Sequence, residues 1–340
     1  MKNTPIAFAS DAQFMEQLRT ASFSAVYACR NSPEGLDIHI LDCGIDDGTW
    51  ARYENDIHRF AETHAARMQL ARHVIDNGVL AQFPSWTNGS RAAWARIFLP
   101  DILANEKSCV YSDCDMLFIA NPSAVLSALH DSGSLMVGHR NPYGAIGPDG
   151  VWFKRMGLPY DSATYLCSGL IGIDLDAFRS RNFIQEALAF LKKYPSPVSV
   201  DQTVLNWFCH GETAVLDEGW GVFPHECFAY DGDIKALHYS GGYAWSRVKN
   251  AYDWVGGHCA TRETDLLNAF RVRIMNTDPF VRPKSAFSHQ VTGWASLQVA
   301  RLLNALGVSM PGHACFSEMV AMFDGKGRAL EKAEKTLFAQ

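Results

Sequence analysis

The 340-residue chain lacks three features that would settle its class at once. It has no basic excess: 30 Lys and Arg against 36 Asp and Glu give a formal net charge of -6. Duplex nucleic acid requires a basic face that displaces its counterions, so nucleic acid is not an expected partner. It has no cysteine framework. The nine thiols, at 29, 43, 109, 114, 167, 209, 227, 259 and 315, are scattered, odd in number and never at paired zinc-ligand spacing, and they read as small apolar residues in a reducing compartment. Finally, no apolar run approaches the ~20 residues of a membrane span. The opening "MKNTPIAFASDAQF" is interrupted at Asp11, too early for a signal peptide. A cytoplasmic location is expected. Internal repeats and low-complexity tracts are also missing.

What is present is 48% hydrophobic and 19% charged, enough apolar material for one large or two ordinary folded domains. Strand and helix signals alternate. "PIAFASD" reads as a strand, with Phe14, Met15, Leu18, Ala25, Val26 and Cys29 at helical spacing behind it. "LDIHILDCG" reads as a second strand, followed by helix over 46 to 80. Residues 90 to 104 read as a helix with Ser90 as N-cap, Trp94, Ile97 and Phe98 on one face and Pro100 as a break. Then come strands "SCVYSDCD", "GSLMVGH" and "YLCSGLIGIDL", a long loop over 141 to 160, helices over 176 to 194 and "DQTVLNWFCHG", and a short strand "KALHYSG". Such alternation specifies an α/β fold with a mixed, mainly parallel sheet.

Residues 276 to 290, "NTDPFVRPKSAFSHQ", are the most linker-like segment. They separate an expected catalytic domain over 1–275 from a helical extension over 276–340. In the extension Ala295, Val299, Leu302, Leu303 and Leu306 form an apolar stripe ended by Gly307 and Pro311. Arg301 is the single basic residue between 291 and 307, so any peripheral association with the inner membrane face is expected to be weak.

The stretch "SCVYSDCDMLFIANP" carries the chemistry. Two aspartates one residue apart on a strand face the same way, with Cα atoms about 7 Å apart. Apolar flanks on both sides would desolvate Asp113 and Asp115, and an unpaired buried carboxylate costs several kcal/mol, so a cation is expected there. The bland alternative is a strand ending at Ser112 with the aspartates in a solvated turn. Strand ends are where open α/β sheets collect ligands. In "ALHYSGGYAW", His238 lies in a short apolar strand, and glycines 241 and 242 would let backbone amides approach phosphates. Two carboxylates, an imidazole and diphosphate oxygens would complete an octahedral shell suited to Mn²⁺, with Mg²⁺ the alternative.

In this ordered series the sequence resembles glycosyltransferase family 8, the retaining nucleotide-sugar transferases that include bacterial lipopolysaccharide galactosyl- and glucosyltransferases and glycogenin. The match runs through "IAFASDAQF", "HILDCG", "AAWARIFLPDIL", "VYSDCDMLF", "YLCSGLIGIDLDAFR", "SVDQTVLNWF" and "LHYSG". The resemblance implies a Rossmann-like GT-A fold, a UDP-glucose or UDP-galactose donor, Mn²⁺, and a glycan or glycolipid acceptor. It implies that Asp113, Asp115 and His238 hold the metal. Ala9, Asp11 and Gln13 would hold uridine and ribose, Arg96 would reach the donor sugar, and Ser112, Cys114, Cys167, Ser168 and Gly241 would line the donor. Asp201 and Gln202 would flank the reacting carbon, the acid binding sugar hydroxyls and the amide stabilising an oxocarbenium-like centre.

Two departures stand out. Cys167 replaces the family's sugar-contacting asparagine, and "HYSGGYAWSRVK" is one residue shorter than the usual His-x-x-Gly-x-x-Lys-Pro-Trp, with Ala244 at the lysine position. The diphosphate would lose a cation unless Arg247 or Lys249 supplied it. Two other readings remain open at this point. One is a degenerate domain that binds sugar nucleotide or glycan without turnover. The other is a haloacid dehalogenase-like phosphatase, against which Leu117 stands where Thr or Val would follow the second aspartate.

Overall fold

The first apolar run, Thr4–Ser10, is strand β1, and every residue in it is buried. Asp11 caps the turn that follows, its Oδ1 accepting from the Gln13 amide at 2.9 Å, and helix α1 (Met15–Ala28) returns the chain. Strand β2 (Leu36–Asp42) lies parallel to β1 from Thr4 opposite Leu36 to Ser10 opposite Asp42. Asp46 then starts α2 (Asp47–Thr63) by accepting from the Thr49 amide at 2.9 Å. In the computed structural model residues 3–85, 90–141, 147–223, 230, 232–240, 266–267, 269–278 and 328–338 are described. They fall into two units, Met1–Gly221 and Val222–Gln340.

The expected helix over 46 to 80 is three elements. It stops at Thr63, β3 (Met68–Val74) pairs parallel with β2 along its whole length, and α3 (Asn77–Leu80) follows. "MQLARHV" is rich in helix formers, but pairing with β2 overrides that weak local preference. The segment 90 to 104 also differs. It is a 3-10 helix, Ala92–Phe98, running into a single α turn, α4 (Leu99–Ile102). Ser90 Oγ accepts from the Ala92 amide at 3.3 Å, while Pro100 sits in the first turn of α4, where a missing N–H costs nothing.

Strand β4 (Ser108–Ser112) joins the other side of β1 in parallel, and β5 (Met116–Phe118) comes three residues after it ends. After α5 (Ser123–Ser132) and β6 (Met136–Arg140), the expected loop contains α6 (Pro148–Met156), begun by proline and closed by Gly157 in the left-handed region. Strand β7 (Leu166–Asp174) is antiparallel to both β4 and β6. The single helix expected over 176 to 194 breaks into α7 (Leu175–Ser180) and α8 (Phe183–Lys193), because Asn182 takes φ 54° between them. Helix α9 (Val200–Phe208) and β8 (Thr213–Val215) complete this unit.

The sheet order is β3-β2-β1-β4-β7-β6-β8, mixed and mainly parallel, as expected. Strand β1 has β2 on one side and β4 on the other, so the order reverses there; the crevice at such a reversal, beyond the carboxyl ends of the strands, is where open α/β sheets bind ligands. Because β7 runs the opposite way, its first residues share that rim with the last residues of β1 and β4. Gly172 lets β7 pack closely: a Cβ there would stand 2.9 Å from Val137 Cγ2 and 3.2 Å from Val125 Cγ1. Buried Trp94, Ile97, Tyr111, Ile171, Phe178, Phe183 and Val204 belong to one apolar cluster of this unit.

In the second unit β9 (Ala236–His238) forms a parallel bridge through Leu237 to Val222, with the His238 amide bonded to Val222 O at 2.9 Å. Helix α10 (Arg328–Phe338) buries Ala329, Ala333 and Leu337, one face at four-residue spacing. No described helix is long and apolar enough to cross a membrane. The expected helix over 291 to 307 lies outside the described residues.

Candidate active site

At the sheet reversal, Arg96 is the centre of an array drawn from separate elements. The 3-10 geometry of Ala92–Phe98 turns its side chain inward, where only 2% of it is exposed. Nη2 donates to Asp113 Oδ1 at 2.6 Å, Nη1 to Ser168 O at 2.6 Å, and Nε to Ala93 O at 2.9 Å. Nε also lies 3.1 Å from Asp201 Oδ2. The guanidinium stands 4.0 Å from the centroid of the Tyr111 ring, and the Tyr111 hydroxyl donates to the same Asp113 Oδ1 at 3.1 Å. A planar fork meets this many fixed acceptors; an ammonium could not.

Two carboxylates thus share one buried cation, and the balance differs at each end. Burial works against the charge of Arg96, but Asp113 and Asp201 outweigh it and hold the guanidinium above its ordinary value. Asp201 is pushed up to about 6, chiefly because burial disfavours its charge; Arg96 lowers the value only in part, and the second carboxylate, Asp113, raises it. A network of net negative charge in a dry place has room for another cation.

Strand β4 ends at Ser112, so Asp113 and Asp115 occupy the connection to β5 rather than one continuous strand. Neither aspartate is fully solvated, however: both are half-buried, and the Asp113 amide donates to Gly169 O on β7 at 2.7 Å. The strand-end alternative therefore holds for the backbone and fails for the side chains. Cys114 between them is buried, its Sγ donating to Ala9 O at 3.1 Å, and burial raises its thiol well above the ordinary value. All six described cysteines are free, and five are buried, as expected of apolar packing residues.

Ser168 and α9 close the array. The Ser168 amide donates to Gln202 Oε1 at 3.1 Å, and its hydroxyl to Asp201 Oδ2 at 3.3 Å. Asn206, one turn further along α9, bridges both backbone groups of Leu166, accepting from its amide at 2.7 Å and donating to its carbonyl at 2.8 Å. The first residues of β7 and of α9 are locked together. Val200, immediately before Asp201, has φ 41°; for a β-branched residue this left-handed conformation costs about 1–3 kcal/mol. Asp11 lies at the end of β1, where Oδ2 accepts from Ser90 Oγ at 3.1 Å. Cys167 is half-buried beside Ser168. In the second unit His238 is buried, its ring stacked 5.0 Å from Phe223. Gly241, Ala244, Arg247 and Lys249 lie outside the described residues.

Among the described residues, Asp113, Asp115 and His238 are side chains that could supply metal ligands. Carboxylate oxygens suit hard divalent cations, and an imidazole nitrogen suits transition metals. Asp113 Oδ1 is fixed by Arg96 and Tyr111, and Oδ2 takes no part in those two bonds.

The model of glycosyl transferase family 8 matches residues 5–247. The chain belongs to glycosyltransferase family 8. General stress protein A of Bacillus subtilis (strain 168) is 22% identical to this chain over 204 residues, 55% of this chain and 63% of that protein. The chain thus spans less than two thirds of the length of this curated relative. Galactosyltransferase LgtC, solved in complex with donor and acceptor sugar analogues, is similar with a TM-score of 0.61 and 18% identity, covering 85% of this chain and 100% of LgtC. Mouse xyloside xylosyltransferase 1 gives 0.50 and 14%, with 71% of this chain and 99% of that one covered. Likeness at such identity concerns the fold, here GT-A. With the family established, the phosphatase reading falls.

Sequence reasoning on residue types found the acidic pair and His238, and the family resemblance added Arg96, Asp201 and Gln202. It missed Tyr111, Asn206 and the strained Val200. Tyr111 alternates with Asp113 in "YSD", which was the one available signal for it.

Proposed function

We propose that this family 8 enzyme is a retaining hexosyltransferase that moves glucose or galactose from UDP-sugar to a glycan or glycolipid acceptor with Mn²⁺. The observation that carries the reading is the buried Arg96, which joins Asp113, Ser168 and Asp201 at the sheet reversal. The proposed catalytic domain is 1–275, with 276–340 as an extension. Asp113 and Asp115, with His238, are the proposed metal ligands. When bound, the metal supplies Lewis-acid neutralisation of the diphosphate. Ala9, Asp11 and Gln13 are assigned to uridine and ribose, and Ser112, Cys114, Cys167, Ser168 and Gly241 to the rest of the donor.

In the proposed reaction the acceptor oxygen bonds to the anomeric carbon on the face that UDP leaves. The bond from that carbon to the β-phosphate oxygen breaks, and the acceptor proton passes to a phosphate oxygen of the departing UDP. Asp201 accepts hydrogen bonds from sugar hydroxyls. Gln202, oriented by the Ser168 amide, presents an amide dipole to the oxocarbenium-like centre. An amide is a poor covalent nucleophile, and the reading does not require one.

The test is UDP release from a panel of UDP-sugars, with EDTA and with Mn²⁺ restored. Release is expected with one hexose donor, lost with EDTA and in Asp113→Ala. No release from any donor, with UDP still bound, would favour the binding-only domain. A glycosyl ester trapped at Asp201 that turns over would overturn front-face displacement.

A further inference from the structure

Asp149, on α6, is a buried carboxylate whose described contacts are three hydroxyl donors and no cation. Tyr165 OH donates to Oδ1 at 2.6 Å, Ser199 Oγ to Oδ2 at 2.9 Å, and Thr203 Oγ1 lies 3.4 Å from Oδ1. Thr203 Oγ1 also accepts from the Ser199 amide at 3.0 Å. Burial is the main reason the Asp149 carboxyl lies above its ordinary value, with the three hydroxyls lowering it in part. Such a desolvated group is retained at a cost, and here it does not bind the charged array around Arg96.

Its partners explain where it acts. Ser199 and Thr203 flank Val200, Asp201 and Gln202, and Tyr165 directly precedes Leu166, Cys167 and Ser168. The carboxylate therefore grips both segments that converge on Arg96. Val200 sits at φ 41° between two gripped residues, a conformation that persists only where its surroundings over-determine it. We propose that Asp149 is a positioning residue for glycosyl transfer: it fixes the corner Ser199–Thr203 and so aims Asp201 and Gln202 at the donor. The proposal rests on the transferase reading for its effect on rate, but not for its effect on the corner.

Two measurements on the full chain separate these. In Asp149→Ala, backbone amide exchange over 199–203 is expected to rise about tenfold while β1 and β2 stay protected. The kcat is expected to fall about 100-fold with UDP affinity unchanged, as for a small misplacement of reacting groups. Asp149→Asn retains an acceptor for Tyr165 and Thr203 and a group that can bond Ser199 Oγ, so it should recover most of both. If Asp149→Ala does not fold, Ser199→Ala removes one of the three donors and is read the same way. Unchanged exchange over 199–203 in a folded variant overturns the proposal, as does exchange that rises equally in every strand. If the wild type releases no UDP from any donor, the transferase reading fails, while the exchange measurement still decides the role of Asp149.

Discussion

Replacing Asp201 by asparagine should make the metal-free protein more stable at pH 8 while lowering its activity. Raising this carboxyl from 3.8 to about 6 makes ionisation about 3 kcal/mol harder in the folded chain than in the unfolded one. The folded state therefore binds the proton more tightly. That stabilisation is complete below pH 3.8 and is lost as pH rises through 6. Asparagine has no charge to bury, and it leaves Arg96 paired with Asp113 at 2.6 Å. The expected gain is about 3 kcal/mol at pH 8, shrinking to nothing below about pH 4. In a unit of this size it corresponds to about 6–12 °C in Tm. Thermal or urea unfolding of both proteins in EDTA, at pH 8, 6 and 4, would check it. If Asp201→Asn is less stable at pH 8, the Arg96 ion pair outweighs the burial of Asp201, and the account of a shared, insufficient cation is wrong.

Three further outcomes are expected. The rate of UDP release at limiting donor should fall on the acid side as Asp201, its carboxyl raised by burial, takes up its proton, and this limb should disappear in Asp201→Asn, whose residual rate should be flat. Arg96→Lys should lose about 3–5 kcal/mol by unfolding, because an ammonium cannot meet two carboxylates and two carbonyls that a fork holds at once. Gly172→Ala should lose about 1–3 kcal/mol with kcat unchanged, since its methyl group would meet Val137, Val125 and the Val125 carbonyl.

The fold was legible wherever burial writes itself into composition. Strands β1, β2, β4 and β7 are buried over most of their length and rich in apolar residues, and each was expected where it occurs. Strand β3 was not, because a half-exposed edge strand built of Met, Gln, Leu, Ala and Arg carries a helical composition, and only its ladder with β2 makes it a strand. The break at Asn182 was equally silent, since asparagine in a left-handed turn between two helices leaves the apolar spacing on either side intact. In the site, the acidic pair announced itself through its apolar flanks. Asp149 could not, because its three partners stand 16, 50 and 54 residues away along the chain. The glycine and proline content around it spoke for a loop, although the segment from Pro148 to Met156 is a helix.

The reversed course of β7 has a consequence for how this enzyme can vary. A strand laid head to tail with its neighbours offers its beginning, not its end, to the reactive rim. Asn141 and Tyr165, joined by a backbone hydrogen bond of 2.9 Å, therefore both stand at that rim, whereas the residues directly after Asp174 leave from the far side. Insertions between these two residues would remodel that rim. Insertions directly after Asp174 would leave it untouched, so engineering aimed at the rim should begin between β6 and β7.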